Sequence, residues 1–450
     1  MTRTLHIKKG LNIHLSGEAE KVIHPLPLPQ TFAIKPPDFL YIVPKLLVKP
    51  GDEVMAGTPL FYDKNNPTVK FCAPVSGEVA EIIRGDKRRI LEIVILADNR
   101  QAHVDFGAAD PATLSREAIL EKLLNSGAFA CIRQRPYHTI PNPQDVPKAI
   151  FITGFDSHPL APDLDFVMQH FEKDFQSGLD ALRPLTFGMV HLSLRAGGAA
   201  DVFEKAEGVE IHRISGPHPA GNVGVQIHHF DPISKGEAIW CLHAQDVATI
   251  GRLFRTGTYA PEKIVAVAGA QLQQPQYFKT RTGTSVKNML EASAMKEGRC
   301  RIISGNVLTG ESISHQGYLG FYHNEVTVIP EGDEPEFMGW ISPGLQKFSM
   351  SRAYFSWLQP KKTYNLDTNT HGEERPFVMT GQYEKVFPMD IFPVQLLKAA
   401  MIEDIELMEN LGIYEVVEED FALCEFVCTS KIESQKIIRR GLDLVRKEMG

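Results

Sequence analysis

Between residues 48 and 82 apolar and polar positions alternate in short runs, and each run stops at a turn former. The stretch reads VKPGDEVMAGTPLFYDKNNPTVKFCAPVSGEVAEI, punctuated by Pro50-Gly51-Asp52, Ala56-Gly57 and Ser76-Gly77. A two-residue period broken by tight turns predicts antiparallel strands. They are expected over 53–55, 59–62 and 78–82, with a further strand ending at 73–77 and a polar hairpin over 63–67. This is the grammar of a barrel-sandwich (lipoyl- or biotinyl-like) domain. In a carrier of that shape the hairpin tip presents a modifiable lysine, and Lys64 lies near the tip. Asn65-Asn66-Pro67 follows it and no Met-Lys-Met tip is present. Lys64 is therefore expected to be unmodified and the barrel a scaffold, which by itself fixes no activity.

The period changes at residues 110–127, where Leu114, Ile119, Leu120, Leu123 and Leu124 fall mostly on one helical face and Gly127 provides the stop. Strands and helices then alternate: strand 149–153, helix 164–177, strand 187–194, helix 199–207, strand 209–214, a Gly-rich loop, and strand 223–229. Strands separated by helices predict a mostly parallel, Rossmann-like α/β sheet. Residues 264–283 return to strands and Gly turns. A helix over 286–294 and strands over 301–308 and 321–328 complete a β-grasp (SLBB-like) unit. An acidic linker (330–335) and an aromatic section follow. A helix is expected over 394–411, with Leu397, Met401, Ile405, Met408 and Leu411 on its core face, and a last helix within 431–448. The Pro-rich stretch 24–29 reads as an extended strap. The expected organisation is an α/β multidomain chain. Residues 1–100 form the strap and barrel-sandwich hybrid, 101–257 the Rossmann-like domain and 258–332 the β-grasp domain. An aromatic connector (333–375) leads to a C-terminal helical domain (376–450).

At 450 residues, with 43% hydrophobic and 23% charged positions, the chain can bury a core in each of about three or four domains. A formal net charge of −8 argues against a nucleic-acid surface. The best apolar run, 264–270, falls far short of the ~20 residues a membrane span needs. MTRTLHIKKG has no apolar segment after its basic residues, unlike a signal peptide. A cytoplasmic chain that meets a membrane through a partner is expected. Six cysteines are spread over the chain, and only Cys424 and Cys428 are close. A [4Fe–4S] cluster takes four thiolates in a tight run, so this pair reads as two buried helical residues.

Ser215–Gly224, SGPHPAGNVG, is the most site-like segment. Gly216, Gly221 and Gly224, with His218 among them, could let backbone N–H groups converge on an anion. The segment lacks both the G-x-G-x-x-G order and the P-loop Lys-Ser/Thr, and a rigid turn is the plainer reading. His191, His212, His218, His228, His229 and His243 crowd the same domain, but their spacing matches no zinc pattern. His228 and His229, adjacent on the expected strand, should face opposite ways. No metal site and no self-contained catalytic motif is expected.

Several longer strings carry a family resemblance: IKKGLNIHLSG, DKNNPTVKFCAPVSGEV, RQRPYHTIPNP, AIFITGFDSHPLAPD, ISGPHPAGNVGVQIHHFDP, IWCLHAQDVATIGRLFRTG, RIISGNVLTG and FPMDIFPVQLLKA. In order and over nearly the whole length, the chain resembles the A-subunit family of sodium-translocating NADH:quinone oxidoreductases. That family looks related to the flavin-carrying NADH-binding subunit of complex I and to the Rnf-type C subunit. Those relatives use a Gly-rich FMN loop, where this chain has ACIRQRPYHTIPN with no glycine. The resemblance thus implies a peripheral subunit with no tightly bound redox cofactor. Flavins and Fe–S centres would lie in partner subunits, and the membrane-embedded B subunit would be the docking partner, on the cytoplasmic face. A quinone contact is implied as well. The alternative is an FMN-binding NADH dehydrogenase acting on its own α/β domain. Residues 337–358, with Phe337, Trp340, Tyr354, Phe355 and Trp357, are expected either to face the membrane partner or to pack the helical tail onto the β-grasp domain.

Overall fold

Strands from distant parts of the chain assemble into two six-stranded sheets and a pair of smaller ones. The computed structural model describes residues 3–333, 338, 343–359 and 361–449. The expected architecture is present: barrel-sandwich, α/β, β-grasp and helical tail.

In the barrel, the antiparallel strands Thr31–Ile34, Ile90–Ala97, Gly77–Arg84 and Glu53–Val54 form one wall. Pro44–Leu46, Pro59–Asp63 and Lys70–Cys72 form the other. Alternate residues point inward, so Phe32, Ile34, Leu60, Phe71, Val79, Ile93 and Ile95 meet in the core. The Phe61 and Phe71 rings stack at 4.4 Å. The 63–67 hairpin is held by Asp63, whose Oδ1 accepts from the backbone N–H of Val43 (3.0 Å) and Asn65 (3.2 Å). Lys64 is exposed at its tip.

The α/β sheet runs Arg3–His6, Glu210–Ser215, Val190–Arg195, Ala149–Thr153, Ile239–His243, Arg133–Arg135. All neighbours are parallel except the last pair. Helices Glu172–Leu182 and Ala244–Thr256 cover the face that carries Ile150, Ile152, Leu192 and Trp240. The two helices approach closely at Gly178 and Gly251. A Cβ on Gly251 would lie 1.7 Å from the Asp174 carbonyl oxygen, and one on Gly178 would lie 2.1 Å from that of Val247. Asp174 also clamps the pair, receiving Arg252 Nε at 2.9 Å and Arg255 Nε at 2.7 Å.

Residues 223–230 depart from the expected strand. Val223–Phe230 is a helix lying on the other face of the sheet, against Phe151, Ile239 and Cys241. Val223, Ile227 and Phe230 face the sheet at helical spacing, while Val225 packs into the core of the tail. Burial on two sides produces an apparent two-residue alternation from a helix. His228 and His229 therefore do not face opposite ways. His228 Nδ1 lies 2.7 Å from Glu415 Oε2 and His229 Nε2 lies 3.0 Å from the Pro388 carbonyl oxygen, both partners in the tail.

The β-grasp sheet runs Glu311–Ile313, Cys300–Ser304, Glu325–Pro330, Glu262–Ala268, Gln276–Arg281, Glu20–His24. Its core gathers Val265, Val267, Phe278, Leu290 and Val328. The first 30 residues are thus more than a strap, because they add an edge strand to each large sheet.

The helix expected over 394–411 is two, Pro393–Met401 and Ile405–Asn410. Glu403 takes a φ of 59° between them, and Asp404 caps the second by accepting from the Leu407 N–H at 3.0 Å. Both helices pack on Ser434–Met449, the last helix, and bury Leu397 and Met408, but Met401, expected on the core face, is 52% exposed because the first helix ends there. Cys424, within the helix Ala422–Val427, and Cys428, just after it, are buried in that core. In the connector, Phe348 packs between Tyr364 (5.4 Å) and Phe426 (5.6 Å). Phe355, Trp357 and Leu358 are 57%, 48% and 61% exposed. Phe337 and Trp340 lie outside the described residues.

Candidate functional site

The order of the α/β sheet locates its crevice. From Ala149–Thr153 the chain moves outward to Val190–Arg195 and Glu210–Ser215, then returns to lay Ile239–His243 on the other side of the starting strand. Ligands of such sheets bind outside the carboxyl ends of the strands where this reversal occurs. Here those ends are Gly154-Phe155-Asp156-Ser157-His158 and His243.

His243 is the N-cap of helix Ala244–Thr256. Its Nδ1 accepts from the Gln245 N–H (3.4 Å) and from the Asn324 amide (3.1 Å). The proton therefore sits on Nε2, 3.3 Å from Asp156 Oδ2. Burial pushes the Asp156 carboxyl up, but His243, His158 and Arg195 outweigh it and leave the group below the usual range. Arg195 also donates to the Asp156 carbonyl oxygen at 2.9 Å. His158 Nε2 lies 3.3 Å from Glu325 Oε1, the first residue of a β-grasp strand. Burial raises the Glu325 carboxyl to about 7, against the pull of His158.

The Ser215–Gly224 loop closes one side. Ser157 Oγ accepts from the Gly221 N–H at 2.8 Å and lies 3.0 Å from His218 Nδ1. Burial, then the neighbouring His158, lowers His218 to about 3, so its ring is neutral. Of the candidate ligand residues, His218 and Gly221 border the crevice. Gly216 backs onto Ile7, where a Cβ would lie 2.2 Å from the carbonyl oxygen. Gly224 faces Arg135 and Asp420, at 2.3 and 2.4 Å from a Cβ placed there. Each glycine of the loop thus has a packing partner inside the chain, and the Gly221 N–H is taken by Ser157 Oγ.

Asp156, His158, Asn324 and Glu325 form the rest of this crevice and belong to no motif. One signal for the first two was available in the sequence, since GFDSHP directly follows AIFIT, whose first four residues are apolar. Asn324 and Glu325 come from another domain, so nothing local marks them.

On the far side of Ile239–His243, the glycine-free segment folds as a 3-10 turn, Ala128–Cys131, and the edge strand Arg133–Arg135. Gln134 and Thr139 exchange backbone hydrogen bonds of 2.6 and 3.2 Å. Arg135 is 1% exposed and pairs with Asp420 (2.7 Å) and Glu419 (3.3 Å) of the tail. Arg133 lies over the Tyr322 ring at 4.5 Å, and the Tyr322 hydroxyl donates to the Ala130 carbonyl oxygen at 2.9 Å. The segment is an interdomain joint. Of the six histidines singled out in the sequence, His191 and His212 meet on neighbouring strands, and His218 and His243 both border the crevice.

Three family models match consecutive parts of the chain: the NqrA N-terminal barrel-sandwich hybrid domain over residues 5–98, the NqrA second alpha/beta domain over 114–259 and the NQRA C-terminal domain over 264–315. The A subunit of the Na(+)-translocating NADH-quinone reductase of Rhodopirellula baltica is 38% identical over 448 residues, covering 98% of each chain. Its counterpart in Yersinia pestis is 39% identical over 448 residues, covering 99% of this chain and 100% of its own. Among solved structures, an NAD+-reducing [NiFe]-hydrogenase in its H2-reduced state matches at 13% identity and a TM-score of 0.38, over 75% of this chain and 61% of its own. Identity at this level, sustained from end to end and through every domain, shows the family: the chain belongs to the A-subunit family of Na(+)-translocating NADH-quinone reductases.

Proposed function

We propose that the chain is a peripheral subunit of a respiratory complex that couples NADH oxidation and quinone reduction to sodium export, and that it holds no tight redox cofactor of its own. The observation that carries this reading is the filled crevice. Where a nucleotide or flavin would enter an α/β sheet, the chain's own Asp156–His243, His158–Glu325 and Ser157–His218 contacts bridge the strand ends. The segment in the place of a flavin loop is spent on joints to Tyr322, Asp420 and Glu419. Flavins and Fe–S centres then belong to partner subunits.

Among the described residues no helix is long and apolar enough to cross a membrane. Anchoring therefore falls to a partner, which we identify with the membrane-embedded B subunit on the cytoplasmic face. Exposed Met338, Leu345, Phe355, Trp357 and Leu358 offer that partner an apolar surface. The quinone contact would be shared with one of the partners.

Native purification of the isolated chain tests the reading. A protein without visible absorbance is expected. Stoichiometric flavin absorbance, or iron and sulfide above trace, would refute it and favour the FMN-binding alternative.

A further inference from the structure

The register between Val190–Arg195 and Glu210–Ser215 sets His191 beside Glu210 and Ser193 beside His212. Residues paired in register share a face, as do alternate residues along a strand. Four polar side chains therefore crowd the face that helix Val223–Phe230 covers. His191 Nδ1 lies 2.8 Å from His212 Nε2 and 3.7 Å from Glu210 Oε2. One ligand atom from each of the three residues lies within 4.8 Å of the other two.

The surroundings hold these groups in place. Arg3 Nε sits 3.5 Å from Glu210 Oε1, which orients the carboxylate and leaves Oε2 turned inward. The Phe151 ring stacks on His191 at 4.3 Å, and the Phe230 ring stacks on His212 at 3.8 Å. Two further polar atoms on the same face, Ser193 Oγ and His212 Nδ1, are buried without a hydrogen-bond partner. Both residues are 0% exposed. Orphaned polar atoms are uncommon in folded proteins and point to a missing partner. Here two orphans flank a convergent pair of imidazoles and a carboxylate.

We propose that His191 Nδ1, His212 Nε2 and the Glu210 carboxylate bind a divalent transition-metal ion of the zinc class. Two imidazoles and one carboxylate, with a fourth position for water, form an established ligand set for Zn2+, whereas Mg2+ and Ca2+ prefer oxygen donors. The fourth position lies on the face that holds the unpaired Ser193 hydroxyl. Binding replaces the His191–His212 hydrogen bond, and the ring that donated it moves its proton to its outer nitrogen. The two ligating nitrogens open by a few tenths of an ångström, on the order of what Zn–N bonds of about 2.0–2.1 Å require. The site lies beside the Arg3–His6 edge strand and away from the crevice, and it acts as a clasp between strands.

The test uses the full chain, stripped with a chelator and titrated with Co2+. Uptake of one equivalent is expected, with the visible ligand-field bands of a low-symmetry site, and Zn2+ should displace it. His191→Gln and His212→Gln should abolish the spectrum. Glu210→Gln, at a partly exposed position, should weaken uptake at least about tenfold while leaving the circular dichroism unchanged. That variant decides the matter if either histidine variant fails to fold. Two observations would overturn the proposal. One is the absence of stoichiometric uptake by the wild-type chain. The other is uptake that keeps its full affinity in Glu210→Gln, whether or not His228→Gln, which removes the separate His228–Glu415 pair, abolishes it.

Discussion

Glu325 is buried where the β-grasp sheet meets the α/β crevice, and its carboxyl is raised to about 7 by that burial. A carboxyl held above its unfolded value binds its proton more tightly in the folded chain. Its contribution is fully present below about pH 4.5 and is lost as pH rises through 7. Glu325→Gln should therefore be more stable than the wild type at pH 8, by on the order of 2–3 kcal/mol. The difference should shrink or reverse at pH 5, and thermal melts at the two pH values check it. His218 and His323 act in the opposite direction. Both are lowered to about 3, chiefly by burial. Their contribution is present above about pH 6.5 and is lost as the pH falls toward 3. Each should steepen the acid limb by about 1.4 kcal/mol per pH unit, and His323→Gln should flatten that limb in a melting series from pH 7 to 4. At this scale the sequence was partly readable. His218 and Gly221 stood out because glycines surround them, whereas Glu325 is one acidic residue in an apolar strand. Its environment is set by His158, 167 positions earlier, and by nothing in its neighbourhood.

Helices Glu172–Leu182 and Ala244–Thr256 touch backbone to backbone, and Gly251 makes that possible. Gly251→Ala should cost about 1–3 kcal/mol or more, because the added methyl meets a carbonyl oxygen with no flexible side chain to yield. Gly372→Ala, whose Cβ would meet nothing nearer than 3.6 Å, should stay within about 0.5 kcal/mol. Urea denaturation of the two variants makes the comparison. The helix Arg116–Ser126, with one buried face and its Gly127 stop, was legible from periodicity, and the strand Ala149–Thr153, buried on both faces, from its short apolar run. Val223–Phe230 was not, because it is sandwiched between a sheet and the tail and so loses its polar stripe. The break at Glu403 was hidden because Leu397 and Met408, buried on either side of it, pack on the same partner helix, while the apolar spacing ran on through the exposed Met401.

The domains of the whole molecule are joined by a few buried contacts. Arg135 with Asp420 and Glu419 fastens the tail to the edge of the α/β sheet. Removing one partner of such a pair strands a buried charge, so Arg135→Met should cost about 3–5 kcal/mol. Adding Asp420→Leu should recover much of it, and denaturation of the two variants tests both steps. Phe355→Glu with Trp357→Glu should leave the melting temperature of the isolated chain near the wild-type value, because both side chains are largely exposed. If the docking surface proposed above is right, the same pair should reduce co-purification with the other subunits of the complex. Unchanged recovery of the complex would place the docking surface elsewhere. The order of domains was visible in the sequence because each has its own period and its own turn chemistry. The joints were not, since they are made by single residues brought together from far apart.

The first two strands also bear on how the chain is made. His6 pairs with Ser215 and Glu20 with Gln276, 209 and 256 positions further along, so neither strand can find its neighbour until that much more polypeptide has been synthesised. Closing such long loops is slow, and until it happens the Glu210–Ser215 and Gln276–Arg281 strands each present an open edge to other chains. The barrel can form from residues 31–97 while its leading tail still waits. Cutting the protein into beads at its apparent boundaries would remove these edge strands from both sheets, and fragments beginning at residue 101 should self-associate more than the intact chain in size-exclusion chromatography.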